Sequence, residues 1–256
     1  MDLLQCIIMV QGDNMTKIQR ALFLTSLGIM GFMIGFAIGE IAKADELDTR
    51  YKIAVIDTGF TPMMFDTTGF KLCESGHYDF NTNTPTVGRD TMGHGAYVTA
   101  LINHHAQTNN ICFLVYKVFG ENVKDQYAVT NALIKAYKAG AKAVNMSLYM
   151  TQYSERTRRV FKYVSKRGVK LFVASGNHGV DLNKICRYYP VCYKGINPRL
   201  TIVGATDRYN RVARYSNIGA KLTVYQFGDV GRSRGTSFAS PRALGDYVRG
   251  LKLDGR

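Results

Sequence analysis

Short apolar runs rich in β-branched residues alternate with longer stretches of helical period through most of the chain. Five runs have the length and composition of strands buried on both faces: residues 52–56, 111–119, 143–148, 170–174 and 200–203. The spacing of apolar residues between them predicts helices over residues 95–103, 125–139 and 151–167. This alternation predicts an α/β fold of three layers, with a doubly wound, mostly parallel sheet flanked by helices.

Polar residues close or follow several of these runs. Asp57 ends the first run, Asn145 and Ser147 lie near the end of the third, and Asn177 follows the fourth. Ligands of open parallel sheets bind beside the carboxyl ends of the strands. We therefore expect a functional site at this edge of the sheet.

Asp57 ends an apolar run, where a carboxylate without a hydrogen-bond partner is unfavourable. An aspartate held at a strand end can accept a hydrogen bond from an imidazole, fix its tautomer and stabilise the imidazolium form. An aspartate that only terminates the strand in a turn is the alternative interpretation.

His94 has the local sequence expected of a general base. It lies between Gly93 and Gly95, which allow close backbone approach, and an apolar stretch predicted to be helical follows directly. An imidazole titrates near neutrality, as proton transfer in catalysis requires. The remaining histidines lack this setting and are interpreted as surface or helix residues: His77, His104, His105 and His178.

Ser237 follows Gly235 and Thr236 at a predicted transition from loop to helix. A hydroxyl at this place can face a cleft, while the start of the helix supplies amide donors and the positive end of its dipole. An ordinary helix-capping serine is the alternative.

Five motifs occur in an order that resembles the subtilase family of serine proteases: VIDTG (55–59), GHGA (93–96), VNMSL (144–148), ASGN (174–177) and GTSFASP (235–241). The chain order Asp, His, Ser is also that of subtilisin. The resemblance covers about residues 51–250 and implies a catalytic triad of Asp57, His94 and Ser237. It further implies that Asn177 donates a hydrogen bond in the oxyanion hole, together with the backbone N–H of Ser237.

The resemblance also implies a substrate site at the ends of two strands. Its residues are Asn145, Ser147, Leu148, Tyr149, Ala174, Ser175 and Gly176. The family usually has glycines after the VNMSL motif, which leave an open strand edge for the substrate, whereas this chain has Tyr149 and Met150. The usual preference for large apolar residues is therefore not carried over to this chain.

The N-terminal segment is typical of an export signal. A short basic region precedes the apolar run at residues 21–39, and small residues surround a cleavage site after Ala44. Residues 1–44 are predicted to be a signal peptide or, if they are not cut, a membrane anchor, and residues 45–256 a peptidase domain. The short stretch between Ala44 and Lys52 leaves no room for the folded pro-domain that many secreted subtilases carry, so a minimal catalytic domain is expected.

Four cysteines remain once Cys6 is removed with the signal: Cys73, Cys112, Cys186 and Cys192. An even count suits disulfides in an oxidising compartment. Cys186 and Cys192 are close enough in sequence to close a small loop, which leaves Cys73 with Cys112. Other pairings, or buried thiols without disulfides, are the alternatives.

Partners are constrained by the net charge of +14. The basic residues are scattered without a nucleic-acid motif. The positive charge therefore indicates either binding to an anionic envelope surface or a solvated surface that keeps the protein soluble. No cofactor is predicted, and the calcium sites frequent in the family are not assigned to particular residues.

We expect a monomeric, exported enzyme, periplasmic or secreted, that acts on proteins or peptides as an endopeptidase. The alternative is a catalytically weak protein of the same fold that binds an anionic envelope component.

Overall fold

The computed structural model describes residues 49–62, 70–123, 125, 127–193, 199–219 and 221–253. The fold below is that of the compact unit that begins at Arg50. The predicted signal or anchor at residues 1–44, with its apolar run at 21–39, lies outside the described residues. Within the described ranges, every helix is too short or too polar to cross a bilayer.

Seven strands form the central sheet, and each hydrogen-bonded pair of neighbours is parallel. The order across the sheet is β2, β3, β1, β4, β5, β6, β7. The strands are β1 Tyr51–Asp57, β2 Tyr78–Asp79, β3 Ile111–Lys117, β4 Ala143–Met146, β5 Lys170–Ala174, β6 Leu200–Thr206 and β7 Val224–Phe227. A separate antiparallel pair follows, β8 Asp229–Val230 and β9 Ser233–Arg234.

Helices cover both faces of the sheet. They are α1 His94–Ala106, α2 Ala128–Lys138, α3 Glu155–Lys166 and α4 Thr236–Gly250. Helices α1 and α4 pack against each other, as do α2 and α3. The structure confirms the predicted α/β architecture of three layers.

Strand β1 shows why the sheet needs helices on both faces. Its side chains alternate between two hydrophobic cores, as the pleat of a strand requires. Ile53 and Val55 belong to the core that contains apolar residues of α1 and α4, and Ala54 and Ile56 belong to the core that contains those of α2 and α3. All four side chains are fully buried.

The element boundaries differ from the predicted ones where polar groups intervene. Helix α3 begins at Glu155 because the side chain of Ser154 caps it, accepting a hydrogen bond from the N–H of Thr157 at 3.2 Å. Strand β7 was not predicted from the sequence, because it is only partly buried and lacks a continuous apolar run. The two-residue strands β2, β8 and β9 are too short to produce a sequence pattern.

The interpretation of His77 as a surface or helix residue is wrong. The residue lies in a loop and is 8% exposed. Its Nδ1 accepts a hydrogen bond from the N–H of Val115 at 3.1 Å, and its Nε2 donates to the carbonyl of Cys73 at 2.8 Å. Burial lowers its pKa from 6.5, opposed by the smaller effect of the bond to Cys73. His77 is thus a neutral histidine that ties its loop to β3.

The structure resolves the pairing of the four cysteines, which the sequence left open among three arrangements. Cys73 is bonded to Cys112, which lies 39 positions away in β3, and Cys186 is bonded to Cys192 across 6 positions. The first bond holds the loop before β2 on the sheet, and the second closes a small loop after β5. The alternatives of other pairings and of free thiols are excluded.

Candidate active site

Asp57 is the last residue of β1, and its side chain is 2% exposed. Its Oδ1 accepts hydrogen bonds from the N–H of Thr58 at 2.8 Å and from Nδ1 of His94 at 2.7 Å. Its Oδ2 is buried without a hydrogen-bond partner among the described residues. This carboxylate is therefore directed at the imidazole, which offsets the unfavourable burial noted from the sequence.

His94 is the first residue of α1, and Asp90 fixes the turn that leads into this helix. One oxygen of Asp90 accepts from the N–H groups of Met92 and Gly93 at 3.0 and 2.7 Å. The other accepts from the N–H of Ala96 at 2.9 Å. The bonds from Gly93 and Ala96 satisfy N–H groups that the start of a helix leaves without partners, and the bond from Met92 holds the preceding turn.

Thr58 joins this turn to β1. Its hydroxyl donates to Asp90 at 2.9 Å and accepts from the N–H of Gly95 at 2.8 Å. A side chain at Gly95 would collide with the backbone of Gly59. The glycine after the histidine is therefore required by the close approach of two backbones, which brings His94 within reach of Asp57.

The environment of His94 raises its pKa above 6.5. Burial is the largest single influence and lowers the pKa, but the hydrogen bond to Asp57 and the charges of Asp57 and Asp90 together outweigh it. Because Nδ1 is bonded to Asp57, the second ring nitrogen, Nε2, is the one available to other groups. The His94 side chain is 30% exposed, so a ligand can reach it.

Ser237 is the second residue of α4, which contains a proline four residues later. Because Pro241 has no N–H, it cannot donate to the carbonyl of Ser237 as a helix residue normally would. The hydroxyl of Ser147 donates to this carbonyl instead, at 2.7 Å. The proline of the GTSFASP motif thus leaves the carbonyl of Ser237 free to accept the hydrogen bond from Ser147, which follows β4.

Two buried side chains complete this support. Ser240 donates to Oδ1 of Asn145 at 2.8 Å, and Nδ2 of Asn145 donates to the hydroxyl of Ser147 at 3.0 Å. Ser240 and Asn145 are both fully buried. The chain of hydrogen bonds therefore runs from α4 through β4 and back to the carbonyl of Ser237.

The orientation of Asn177 is set by Thr236. The side-chain oxygen of Asn177 accepts from the N–H and from the hydroxyl of Thr236 at 2.8 and 2.9 Å. Its amide nitrogen is consequently left as the donor. Thr236 is buried, and its hydroxyl also accepts from the N–H of Gly176 at 3.1 Å.

Asn217 holds the loop on which Asn177 lies. Its side-chain nitrogen donates to the carbonyl of Ser175 at 2.8 Å. Its side-chain oxygen accepts from the N–H groups of His178 and Val180 at 3.1 and 3.2 Å. These contacts flank Asn177 on both sides, and Asn217 is itself fully buried.

A cavity of about 370 Å³ contains the four residues predicted as catalytic, Asp57, His94, Asn177 and Ser237. The rest of its lining is Thr58, Met92, Phe119, Ser147, Leu148, Tyr149, Ala174, Gly176 and Thr236. Five of the seven predicted substrate-binding residues are in this set. Asn145 and Ser175 are not, because both are fully buried and bond to other protein groups behind the wall.

The hydroxyl of Ser237 donates to the backbone carbonyl of Ser147 at 3.2 Å. Among the hydrogen bonds of the described residues, none joins this hydroxyl to His94. Both residues nevertheless line the same cavity, and the His94 ring lies 5.7 Å from the ring of Phe238, the residue after Ser237, measured between centroids. Hydrogen bonds to a nucleophile are often formed only when substrate is present.

Sequence reasoning missed four residues that hold the site together: Thr58, Asp90, Thr236 and Asn217. Thr58 and Thr236 lie inside recognised motifs, beside Asp57 and Ser237, so their position was a usable signal. Asp90 lies four residues before His94, in the turn that leads into α1, and its position in the sequence was also a usable signal. Asn217 has no such local signal, because its partners lie about 40 residues earlier in the chain.

A metal site of the kind built from three or more His, Cys, Asp or Glu side chains does not occur in the part of the chain that the structure describes. Asp57, which lines the cavity, and Asp90, which holds the turn before α1, accept hydrogen bonds from histidine, threonine and backbone donors.

The sequence profile of the subtilase family matches residues 48–245, and the chain belongs to this family. It is 28% identical over 215 residues to a thermophilic serine proteinase of Bacillus sp. (strain AK1). The matched region covers 76% of this chain and 50% of that protein. It is 28% identical over 214 residues to subtilisin BL of Lederbergia lenta, covering 76% of this chain and 73% of that protein. The chain thus spans about half the length of the Bacillus relative.

The fold is shared with solved structures of the same family. A cold-adapted subtilisin-like serine proteinase superposes with a TM-score of 0.66 at 23% identity, covering 81% of this chain and 77% of the other.

Proposed function

We propose that this protein is a serine endopeptidase that hydrolyses peptide bonds through an acyl-enzyme on Ser237. The observation that carries the proposal is the 2.7 Å hydrogen bond between Asp57 and His94 in the cavity that also contains Ser237 and Asn177. Membership of the subtilase family supports the same chemistry.

In the proposed reaction, the Ser237 hydroxyl turns from the carbonyl of Ser147 toward Nε2 of His94. Its oxygen attacks the peptide carbonyl carbon while His94 takes the proton, and Asp57 stabilises the resulting imidazolium. The carbon–nitrogen bond then breaks as His94 gives the proton to the leaving amine. Water, activated by the same histidine, cleaves the ester and regenerates Ser237.

The negative charge that develops on the carbonyl oxygen would be bound by Asn177. Its amide nitrogen is the donor that Thr236 leaves available, and the N–H of Ser237 at the start of α4 is the second donor. Because Thr236 orients this side chain and Asn217 holds the loop that carries it, little reorganisation is needed during the reaction.

The test is covalent labelling of the full-length protein with a fluorophosphonate, together with cleavage of unfolded casein. Wild type should be labelled at Ser237 and should cleave casein, whereas Ser237→Ala should do neither. Ser233→Ala, which changes an exposed serine in β9, is the matched control and should behave as wild type. Folded wild type that resists labelling would rule out the proposal.

We further propose that the protein is exported before it acts. Two disulfides within the described part of the chain support an oxidising compartment. The apolar run at residues 21–39 supports the same location. Mass spectrometry of the N-terminus after expression in a secreting host tests this, with Asp45 as the expected first residue and an uncut chain indicating a membrane-anchored form.

A further inference from the structure

The sheet order divides the cavity into two sides. Strand β4 lies between β1 and β5. Asp57 ends β1 and bonds His94, whereas Ala174 ends β5 and leads to Asn177. Ser237 lies over the end of β4, where it exchanges hydrogen bonds with Ser147. The nucleophile therefore has the imidazole on its β1 side and the oxyanion donor on its β5 side.

This arrangement fixes how a peptide lies in the cavity, given the proposed function. The leaving amine must receive its proton from His94, so the bond that breaks points to the β1 side. The residue that carries the attacked carbonyl, called here the acyl-side residue, then directs its side chain toward β4 and β5. The cavity lining on that side consists of Leu148, Tyr149, Ala174 and Gly176.

Tyr149 is by far the largest of these side chains, and other rings hold it in place. It packs edge to face against Tyr188, with centroids 5.3 Å apart, and against His178 at 5.4 Å. His178 and Tyr188 stack on each other at 4.7 Å. The Tyr149 hydroxyl also lies 3.4 Å from Nε2 of His178. A ring with two such contacts resists displacement.

Backbone hydrogen bonds and a disulfide hold the two segments that carry Tyr149 and Tyr188. Met150 and Tyr189 exchange two backbone hydrogen bonds of 2.8 Å each, directly after Tyr149 and Tyr188. The disulfide between Cys186 and Cys192 closes the loop that carries Tyr188. Tyr188 is 5% exposed and fills the space on its side of the Tyr149 ring, whereas Tyr149 itself is 40% exposed.

We infer that the ring of Tyr149, supported by Tyr188 and His178, closes the acyl-side wall and restricts this enzyme to glycine, alanine or serine at the acyl-side residue. A larger side chain would have to push the ring out of its packing or lose its own place beside Ser237, and overpacking of this kind is strongly unfavourable. The substrate class is therefore a polypeptide with a small residue before the cleaved bond. The inference depends on the proposed peptidase function.

The test uses two serine-directed probes, peptidyl diphenyl phosphonates that are identical except for alanine or phenylalanine at the acyl-side position. Second-order labelling rates are measured on the full-length protein. Wild type should react with the alanine probe about 10-fold faster or more. Tyr149→Gly should shift the ratio of rates toward phenylalanine by about 10–100-fold. Tyr149→Phe keeps the ring and should keep the wild-type ratio.

Tyr153→Gly is the matched control, because Tyr153 is an exposed tyrosine outside the cavity lining and should leave the ratio unchanged. If circular dichroism shows that Tyr149→Gly is unfolded, Tyr149→Ala takes its place and the same shift is expected. Wild type that prefers the phenylalanine probe, or a folded Tyr149 truncation with an unchanged ratio, overturns the inference while labelling still supports the peptidase. Absence of labelling by both probes and by a small fluorophosphonate overturns the proposed function itself.

Discussion

Asn177 and Thr236 are joined by two hydrogen bonds, since the side-chain oxygen of Asn177 accepts from both the N–H and the hydroxyl of Thr236, at 2.8 and 2.9 Å. The pair connects the loop after β5 to the first residue of α4, directly before Ser237. The orientation of the proposed oxyanion donor and the start of the helix that carries the proposed nucleophile are therefore fixed together.

Replacing Thr236 by valine should lower kcat about 10-fold with little change in KM, because one hydrogen bond that orients Asn177 is lost. Thr236→Ser keeps the hydroxyl and should restore most of the rate. Steady-state kinetics on a peptide substrate measure both constants. A valine variant with the wild-type kcat would show that the hydroxyl of Thr236 does not orient Asn177.

Asn177→Ala should reduce kcat by about 10²–10³-fold, which is the cost known from subtilisin itself for the loss of one oxyanion-hole donor. KM should change little, because the donor acts mainly on the charge that develops in the transition state. The same kinetic assay tests this. A variant with unchanged kcat and a raised KM would assign Asn177 to substrate binding instead.

The acid limb of kcat/KM should have its midpoint above pH 6.5, because the reaction needs neutral His94 and the pKa of this residue is raised above 6.5. Asp90→Asn removes a charge that raises the pKa of His94, so its acid limb should move to lower pH. Profiles from about pH 5 to about pH 9 measure both midpoints. An acid limb that moves upward in the variant contradicts the assignment.

Protein stability should fall on acidification through His77. Its pKa is lowered in the fold from 6.5, so its contribution is complete above pH 6.5 and is lost as pH falls from there through the lowered value. His77→Gln cannot gain this proton and should show a smaller loss of unfolding free energy between about pH 8 and about pH 5. Urea denaturation at each pH measures the difference. Equal slopes for the two proteins would contradict a neutral, buried His77.

The two disulfides should contribute unequally to stability. Removal of the Cys73–Cys112 pair by double alanine substitution should cost about 4 kcal/mol, and removal of the Cys186–Cys192 pair about 2 kcal/mol, since the longer loop restricts the unfolded chain more. The sequence separations are 39 and 6. Urea unfolding of both variants gives the comparison, and a larger loss from the shorter loop would reverse this ranking.

The triad residues were predicted from five motifs whose order resembles the subtilase family, and each of these residues lies in a structural setting formed by its neighbours in the chain. Asp57 ends a buried strand, His94 begins a helix after a glycine, and Ser237 lies at the start of a helix. Short-range preferences of backbone and side chains produce these settings. They are therefore visible without knowledge of the tertiary fold.

His77 and Asn217 show what local sequence does not contain. His77 is buried because β3 and Cys73 contact it, and Asn217 holds a loop whose residues lie about 40 positions earlier. Strand β7 was missed for a related reason, because its partner β6 determines it more than its own residues do.

The amino-acid sequence by itself predicted the three-layer α/β architecture, since apolar periodicity is a local property, and the order of its five motifs predicted the proposed triad through resemblance to the subtilase family. Tertiary structure alone decided that Asp57 and His94 meet at 2.7 Å, that Thr236 orients Asn177, and that the Tyr149 ring is held by His178 and Tyr188. The physical reason is that hydrogen bonds and ring contacts act over a few ångströms. Residues distant in sequence come within that range only when the folded sheet and its loops bring them together.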